Sequence, residues 1–315
     1  MNALSDNRNI EPGVPDSALR TADSKMARRA LILIWFAVLC SSTSSTFVRF
    51  STCPSLVLAA WRKTFVTLLL LPVVMGNPSY RTELKSLNRS QVIRCIISGC
   101  FLAIHFWTYF LSVHNTTITA AHVLVNLEVL FVAIFMFLSG RERYSRRSIA
   151  GIFIAIFGGI VVAYTKGGLN MAGMMFGNLL AIIAAVMVAS YSFIGTGVRG
   201  EGVSNNVYTF LVYGTSAVVL DLMVLISPYH FTGYGRINYL LAFGMAIVNS
   251  LLGHSIFNWS LKYQSPTLVA MIKLFQPVFS TILGLIIFSE LPLWNQFIGG
   301  IVVITGISLY IKHKK

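Results

Sequence analysis

The sequence predicts an all-α integral membrane protein with ten transmembrane helices, arranged as two inverted five-helix repeats. Two observations carry this prediction: ten apolar segments follow one another between residues 29 and 311, and the second five resemble the first five. Each segment is close to the roughly 20 residues that cross about 30 Å of hydrocarbon. Because five is an odd number, the second repeat enters the membrane in the opposite orientation, a construction typical of secondary transporters.

The composition supports the membrane assignment. The chain has 315 residues, of which 56% are hydrophobic and 11% charged, and its mean hydropathy is +0.74. Soluble domains carry about 25% charged residues, so this chain has too few to cover a water-exposed surface. Residues 1–27 are polar, contain Pro12 and Pro15, and are predicted to form a disordered cytoplasmic tail. No small-residue cleavage site follows the first apolar segment, which argues against a secretory signal peptide.

The predicted spans are joined by short connections that contain proline or glycine, such as Pro54, Pro78 and Pro228. None of these connections is long enough to hold a soluble domain, so any chemistry is expected within the membrane. The first repeat is predicted over 29–164 and the second over 173–311. The ten spans are placed at 29–49, 54–76, 92–112, 117–138, 146–164, 173–198, 205–227, 237–260, 267–288 and 293–311.

The basic residues predict the orientation. A net charge of +14 would suggest nucleic-acid binding in a soluble protein. Here most basic residues near span ends fall on one side of the predicted topology, and the other side has little beyond Lys166 and Arg236. The positive-inside rule therefore predicts a multi-pass protein of the cytoplasmic (inner) membrane, with both termini in the cytoplasm and no nucleic-acid partner.

Common motifs of other function classes do not occur in the sequence. The four cysteines show no CxxC spacing and no partner histidine cluster, so neither a disulfide nor a metal site is predicted. There is no GxxxxGK[ST] element for an ATP-driven pump and no HExxH metalloprotease motif. We therefore expect no cofactor, no metal and no enzymatic activity, with an intramembrane enzyme or a channel as the alternatives to a carrier.

The internal repeat can be followed without gaps. A shift of 150 residues places Phe47-Val48-Arg49 beside Gly197-Val198-Arg199, with Arg49 outside and Arg199 inside as inversion requires. Matched glycines and a matched glutamate at span ends carry more information than matched leucines in apolar sequence. A shift of 148 residues superimposes Thr119 on Thr267, Glu142 on Glu290, Gly151 on Gly299 and Gly158 on Gly306.

Several local patterns bear on the family. They are Trp61-Arg62 in the second span, Gly140-Arg141-Glu142 and Phe288-Ser289-Glu290 after the fourth and ninth spans, glycines in the fifth and tenth, and Gln276-Pro277-Val278 in the ninth. In this order and spacing they resemble the EamA-type carriers of the drug/metabolite transporter superfamily, over the whole membrane region and as two EamA units. The resemblance implies a carrier of small metabolites, often an exporter of amino acids or related compounds. The matching positions of the fourth span, Glu128-Val129-Leu130, lack the proline, so the sequence does not decide whether this span is kinked.

Ionisable residues inside a bilayer are costly and are therefore candidate functional groups. Five lie well within the predicted spans. Arg62 is favoured over Lys63 because the resemblance supports it and a guanidinium binds a carboxylate with two hydrogen bonds, whereas Lys63 could snorkel to a headgroup. Glu128 could take a proton, bind a substrate ammonium or hold helices together. Asp221 could pair with Arg62 or Lys273, or could carry a proton.

Polar residues also share helix faces in three spans. Lys273 and Gln276 lie on one face of the ninth span beside Pro277, an arrangement expected of a helix that lines a water-filled cavity or that bonds a neighbouring helix. His105 and Tyr109 share a face of the third span. Ser250, His254 and Asn258 follow at four-residue intervals in the eighth. A histidine titrates near neutral pH and can pass protons, although a satisfied packing role is the alternative for each.

The fourth span carries a further pair on one face. His122 and Asn126 lie four residues apart, and on a continuous helix Glu128 points away from them. We therefore expect these residues to belong to different surroundings.

These observations predict a secondary transporter that moves a small metabolite, such as an amino acid or related zwitterion, by alternating access. The expected partners are the small-molecule substrate and the lipid bilayer, and the sequence does not decide whether the protein forms a homodimer. The candidate substrate-binding residues are Arg62, Tyr109, Glu128, His254, Asn258, Lys273 and Gln276. The candidate proton-coupling residues are Glu128, Asp221 and His105.

Overall fold

The computed structural model describes residues 16–140, 145–163, 171–260, 263, 272–273 and 275–313, and within these residues there is no β-strand. The described part of the chain forms a succession of helices. They are α1 (Asp16–Ser42), α2 (Ser44–Phe50), α3 (Ser55–Gly76), α4 (Pro78–Ser86), α5 (Arg89–Asn115), α6 (Ile118–Val125), α7 (Glu128–Leu138), α8 (Arg146–Ala163), α9 (Met171–Gly200), α10 (Asn205–Ile226), α11 (Arg236–Met245), a π-helical segment (Ala246–Ser255), α12 (Ile256–Ser260), α13 (Gln276–Phe288) and α14 (Trp294–Lys312).

Seven helices of the described part are long and apolar enough to cross a membrane. They coincide with seven of the ten predicted spans, and the prediction of an all-helical, multi-pass protein is confirmed. The remaining predicted spans, at 146–164, 267–288 and 293–311, coincide with α8, with α13 and with α14. Residues 267–271, the first part of the predicted ninth span, lie outside the described residues, as do Glu142 and Thr267 of the predicted repeat.

The first helix begins earlier in the sequence than the first predicted span. It begins at Asp16, inside the segment 1–27 that was expected to be a disordered tail. Alanine, leucine, arginine and lysine are good helix formers, and this stretch continues directly into a long apolar helix. Extending an existing helix avoids the cost of nucleating a new one.

Two predicted spans are interrupted within the bundle at short polar residues whose side chains bond carbonyls of the preceding turn. Thr43 stands between α1 and α2, and its hydroxyl donates to the carbonyl of Cys40 at 2.7 Å. Asn126 stands between α6 and α7, and its Nδ2 donates to the carbonyl of His122 at 2.7 Å. Short polar side chains of this kind compete with the regular helix for its own carbonyls. The fourth span is therefore broken without a proline.

The helices of the first half, up to α8, pack against those of the second half in a regular pattern. α3 packs on α10, α8 on α14 and α6 on α13, while α5 packs on α9 and α1 on the π-helical segment. The largest buried cluster lies mainly between α3, α5 and α10, and its fully buried large residues include Phe106, Phe110, Tyr208 and Tyr213. Both halves thus contribute to one core.

α8 and α14 cross in backbone contact at small residues. A Cβ atom added to Gly151 would lie 2.6 Å from the carbonyl oxygen of Gly306, and one added to Gly158 would lie 2.9 Å from that of Gly299. Small residues let membrane helices approach this closely. Because rising numbers on α8 meet falling numbers on α14, the two helices run antiparallel.

This crossing predicts different tolerances for two glycines of α14. We expect Gly306→Ala to lower the melting temperature of the purified protein by several degrees, since the new methyl would lie 2.5 Å from the backbone nitrogen of Ala155 and overpacking costs about 1–3 kcal/mol. Gly300→Ala is the matched control, because its methyl would meet only a side-chain atom of Val123 at 3.7 Å. Thermal unfolding in detergent measures both, and equal melting temperatures would contradict the close crossing.

Candidate functional site

A small polar cavity lies at the centre of the bundle, where the two interrupted spans of the first half meet residues of the second half. Its volume is about 60 Å³, which has room for a small cluster of water molecules. Irregular backbone at membrane depth is tolerated where it lines such a cavity. The cavity is lined by Ser41, Ser44, His105, Phe106, Tyr109, His122, Val125, Asn126, Glu128, Val188, His254, Lys273 and Gln276.

An ion pair crosses this cavity. The Nζ of Lys273 donates to Oε1 of Glu128, and the two side chains are 20% and 13% exposed, respectively. Glu128 begins α7 in the first half, and Lys273 precedes α13 in the second. The pair therefore joins the two halves at the place where a substrate could reach both charges. Each of these charges could bind a substrate group of opposite sign if the pair separated.

Three aromatic rings form one wall of the cavity, and two of them are joined by a hydrogen bond. The hydroxyl of Tyr109 and Nε2 of His122 lie 2.8 Å apart, and the His105 ring stacks on the Tyr109 ring with 6.1 Å between centroids. Nδ1 of His105 lies 2.8 Å from the carbonyl oxygen of Ala184, which can only accept, so Nδ1 carries the hydrogen. In the neutral tautomer, Nε2 of His105 is therefore a hydrogen-bond acceptor.

Arg62 and Lys63 are buried immediately behind the cavity wall. Nε of Arg62 donates to the Ser250 hydroxyl at 3.0 Å and Nη1 to the Ser44 hydroxyl at 3.5 Å. Lys63 is 1% exposed, and its Nζ lies 3.9 Å from the ring centroid of Phe106. Lys63 thus packs inside the bundle and does not snorkel to a headgroup.

Asp221 and Asn258, which the sequence suggested as site residues, do not line the cavity. Asp221 accepts hydrogen bonds from the hydroxyl of Thr64 at 3.0 and 3.3 Å, and it does not form the predicted pair with Arg62 or Lys273. Nδ2 of Asn258 donates to the hydroxyl of Tyr191 at 3.4 Å, so this amide faces α9. His254 lines the cavity and Asn258 does not, although their spacing in the sequence suggested one face.

The structure also brings together residues that the sequence placed apart. The expectation that Glu128 points away from His122 and Asn126 is wrong, because it assumed a continuous helix. The interruption at Asn126 turns the start of α7, so that all three side chains line one cavity. Ser41 and Ser44, at the other interruption, were not predicted as site residues. A short polar residue in an apolar span is the signal that could have identified both places.

Ion pairs also connect the halves at the two ends of the bundle. At the end predicted to be outside, Nη2 of Arg49 lies 3.5 Å from Oε2 of Glu290, while Nε donates to the carbonyl of Val113 at 2.8 Å. Oε1 of Glu290 accepts from the backbone nitrogen of Ile118 at 2.6 Å. We call these four residues the Arg49–Glu290 latch.

At the opposite end, Arg94 donates to both carboxylate oxygens of Glu201, at 2.6 and 2.7 Å. Hydrogen bonds from the Arg94 guanidinium lower the pKa of the Glu201 carboxyl. This pair is more exposed than the Arg49–Glu290 latch, with side chains 31% and 43% accessible against 28% and 17%, so solvent screens it more strongly.

The central ion pair predicts a double-mutant effect on stability. We expect Glu128→Gln and Lys273→Gln each to destabilise the protein by about 3 kcal/mol, since removal of one partner leaves a buried charge uncompensated. The double variant, which removes both charges, should recover most of the loss. Thermal unfolding of the four purified proteins measures the coupling, and additive losses in the double variant would contradict the ion pair.

Comparisons with known proteins agree with this architecture. The model of the EamA-like transporter family matches the chain twice, over residues 28–164 and 175–312. The uncharacterized transporter YxxF of Bacillus subtilis (strain 168) is 22% identical over 296 residues, which cover 93% of this chain and 92% of the relative. An uncharacterized transporter of Archaeoglobus fulgidus is 25% identical over 248 residues, covering 77% and 84% of the two chains.

Two further matches extend the comparison. The pseudopaline exporter CntI of Pseudomonas aeruginosa (strain UCBPP-PA14) is 22% identical over 235 residues, covering 73% of this chain and 78% of the exporter. A solved crystal structure aligns with 90% of this chain and 96% of its own, at a TM-score of 0.62 and 19% identity, and shows the fold alone. Since the family model covers most of the sequence in two matches, the chain belongs to the EamA-like transporter family.

Proposed function

We propose that this protein is a secondary transporter that moves a small charged metabolite across the cytoplasmic membrane by alternating access. The Glu128–Lys273 pair carries the proposal, because it joins the two halves inside a polar cavity at the interruptions of the helices. Transporters typically bind substrate near the midplane, between repeats and beside broken helices. A substrate that binds between Glu128 and Lys273 would contact both halves at once.

The helix pairing supports a ten-helix bundle with two inverted repeats. If the spans of the second half are matched in order to those of the first, the contact of α5 with α9 corresponds to that of the π-helical segment with α1. The glycines follow the same rule, since Gly151 meets Gly306 and Gly158 meets Gly299, and the sequence repeat matches Gly151 with Gly299 and Gly158 with Gly306. Such reciprocal contacts are expected of a two-fold axis.

The same pair suggests how a zwitterion such as an amino acid would bind. Glu128 could receive the ammonium group and Lys273 the carboxylate, so that two new ion pairs replace the one that opens. Tyr109, His254 and Gln276 border the same space and could orient the rest of the molecule. Glu128 and His105 are the titratable groups beside this space that could couple transport to protons, whereas the position of Asp221 at Thr64 makes it a weaker candidate.

The small volume and the contacts at both ends favour a carrier over a channel. A carrier must close each end of its pathway in turn, and ion pairs between the halves are suited to this because they can break when the halves rock. The Arg49–Glu290 latch connects α2, the chain around the α5–α6 junction, and the residues after α13. It would have to separate for substrate to reach the cavity from the outside.

Counterflow in proteoliposomes tests the proposal. We expect the purified protein to exchange a labelled metabolite against the same unlabelled compound inside the vesicle, and we expect Glu128→Gln and Lys273→Gln each to reduce the initial rate at least about tenfold. Thr305→Val, at an exposed hydroxyl that bonds only its own helix, is the control and should keep the wild-type rate. Full exchange in both cavity variants would refute the proposed binding site.

The Arg49–Glu290 latch predicts a change in accessibility. In a cysteine-free background with Ser44→Cys as a reporter in the cavity, we expect Arg49→Ala to increase labelling by a membrane-impermeant maleimide added outside. The reason is that loss of the guanidinium removes its contacts to Glu290 and to two backbone carbonyls. Arg94→Ala, at the other end, should leave outside labelling unchanged. Unaltered labelling in Arg49→Ala would show that the latch does not control access.

A further inference from the structure

The charges buried around the central cavity are unbalanced. Arg62 and Lys63 are 0% and 1% exposed, and Lys273 is also largely enclosed. Against these three basic side chains the cavity has one carboxylate, that of Glu128, and Lys273 uses it. Arg62 and Lys63 therefore remain without a carboxylate partner in the described part of the protein.

Four further carboxylates are bound elsewhere. Glu83 accepts from the backbone nitrogen of Ser204, Asp221 from Thr64, Glu201 from Arg94 and Glu290 from Ile118, and Glu290 also lies 3.5 Å from Nη2 of Arg49. None of these acids forms an ion pair with Arg62 or Lys63 among the described residues. The protein chain thus provides no described anion for either cation.

Arg62 is the less satisfied of the two. Lys63 lies over the rings of Phe106 and Tyr213, at 3.9 and 4.2 Å from the centroids, which stabilises a cation. Arg62 also lies over Phe106, but its Nη2 is buried and has no hydrogen-bond partner among the described residues. A guanidinium stays protonated in proteins, and burying its charge without an anion is costly.

The unpartnered end of Arg62 is separated from the cavity by a single layer of side chains. Ser44 and Phe106 both contact Arg62 and both line the cavity. The hydroxyl of Ser41, another lining residue, is buried and also lacks a partner. Ser44 therefore lies between the cavity and the guanidinium of Arg62.

We propose that the substrate carries more acidic than basic groups, and that one carboxylate or similar anionic group binds Arg62 together with the hydroxyls of Ser41 and Ser44. This inference rests on the proposed transport function and narrows its substrate class to small dicarboxylates and amino dicarboxylates. Lys273 receives the second acidic group, and Glu128 receives an ammonium where one is present. The bound anion supplies the charge that the buried cluster lacks.

Four probes of similar length but different net charge test the substrate class. Glutarate and L-glutamate are net anions, L-glutamine is a neutral zwitterion and L-lysine is a cation. In proteoliposomes we expect the two anions to exchange at least about tenfold better than glutamine, and lysine not to exchange. Exchange of glutamine or lysine without the anions would overturn the anionic class while leaving the transport function intact. Absence of counterflow across a wide metabolite panel would instead refute the transport function.

The stability of Arg62→Met tests the site without requiring exchange of any probe. We expect this variant, free of substrate, to melt at the wild-type temperature or a few degrees higher, because an uncompensated buried charge has been removed. Arg49→Met is the matched control and should melt lower, since Arg49 bonds two carbonyls and lies beside Glu290. A fall in Arg62→Met as large as that in the control would mark Arg62 as a structural residue and overturn the proposal.

A ligand-induced shift completes the test. Glutarate is expected to raise the melting temperature of the wild type but not that of Arg62→Met, and Arg62→Lys should keep a reduced shift because it retains the positive charge. An equal shift in the wild type and Arg62→Met would place the anion elsewhere and overturn the assignment to Arg62.

Discussion

The need to satisfy every backbone polar group within the lipid shapes this structure. A helix satisfies its own groups, so a span can be interrupted only where side chains or water provide replacements. Here Thr43 and Asn126 provide them by bonding carbonyls of the preceding turn. Both interruptions face the same cavity, and the π-helical segment of the second half borders it as well. The position of the polar cavity therefore follows from the hydrogen bonds that the interrupted helices need, independently of any substrate.

The placement of charge follows from the same apolar surroundings. An ion in the bundle must find an opposite charge, an aromatic face or a polar wall. Glu128 and Lys273 use each other, and Lys63 uses aromatic rings. Arg49 and Glu290 meet at one end of the bundle, where backbone groups complete their hydrogen bonding. These two ion pairs and the Arg94–Glu201 pair each join the first half to the second, so electrostatic contacts between the halves occur both at the centre and at the periphery.

Much of the fold could be predicted from the sequence, because apolar segments of fixed length and glycines at repeat intervals are direct consequences of crossing a bilayer. The cavity residues Tyr109, Glu128, His254, Lys273 and Gln276 could be identified from the cost of polar groups in lipid. The association of His122 and Asn126 with Glu128 could not, since it depends on a side chain that ends a helix. Asn258 and Asp221 were grouped with the site by helical spacing or charge alone, whereas hydrogen bonds to Tyr191 and Thr64 direct them elsewhere. Helical periodicity holds only while the helix is regular.

The crossing of α8 and α14 has a consequence for how the two halves can diverge in evolution. In most packed cores a larger residue on one side can be accommodated by a smaller one opposite. At Gly151 and Gly158 the opposing atoms belong largely to the backbone of the other half, and the opposing glycines have no side chain to give up. No compensating substitution is therefore available within each pair. A substitution at these positions in one half therefore always affects the backbone of the other half.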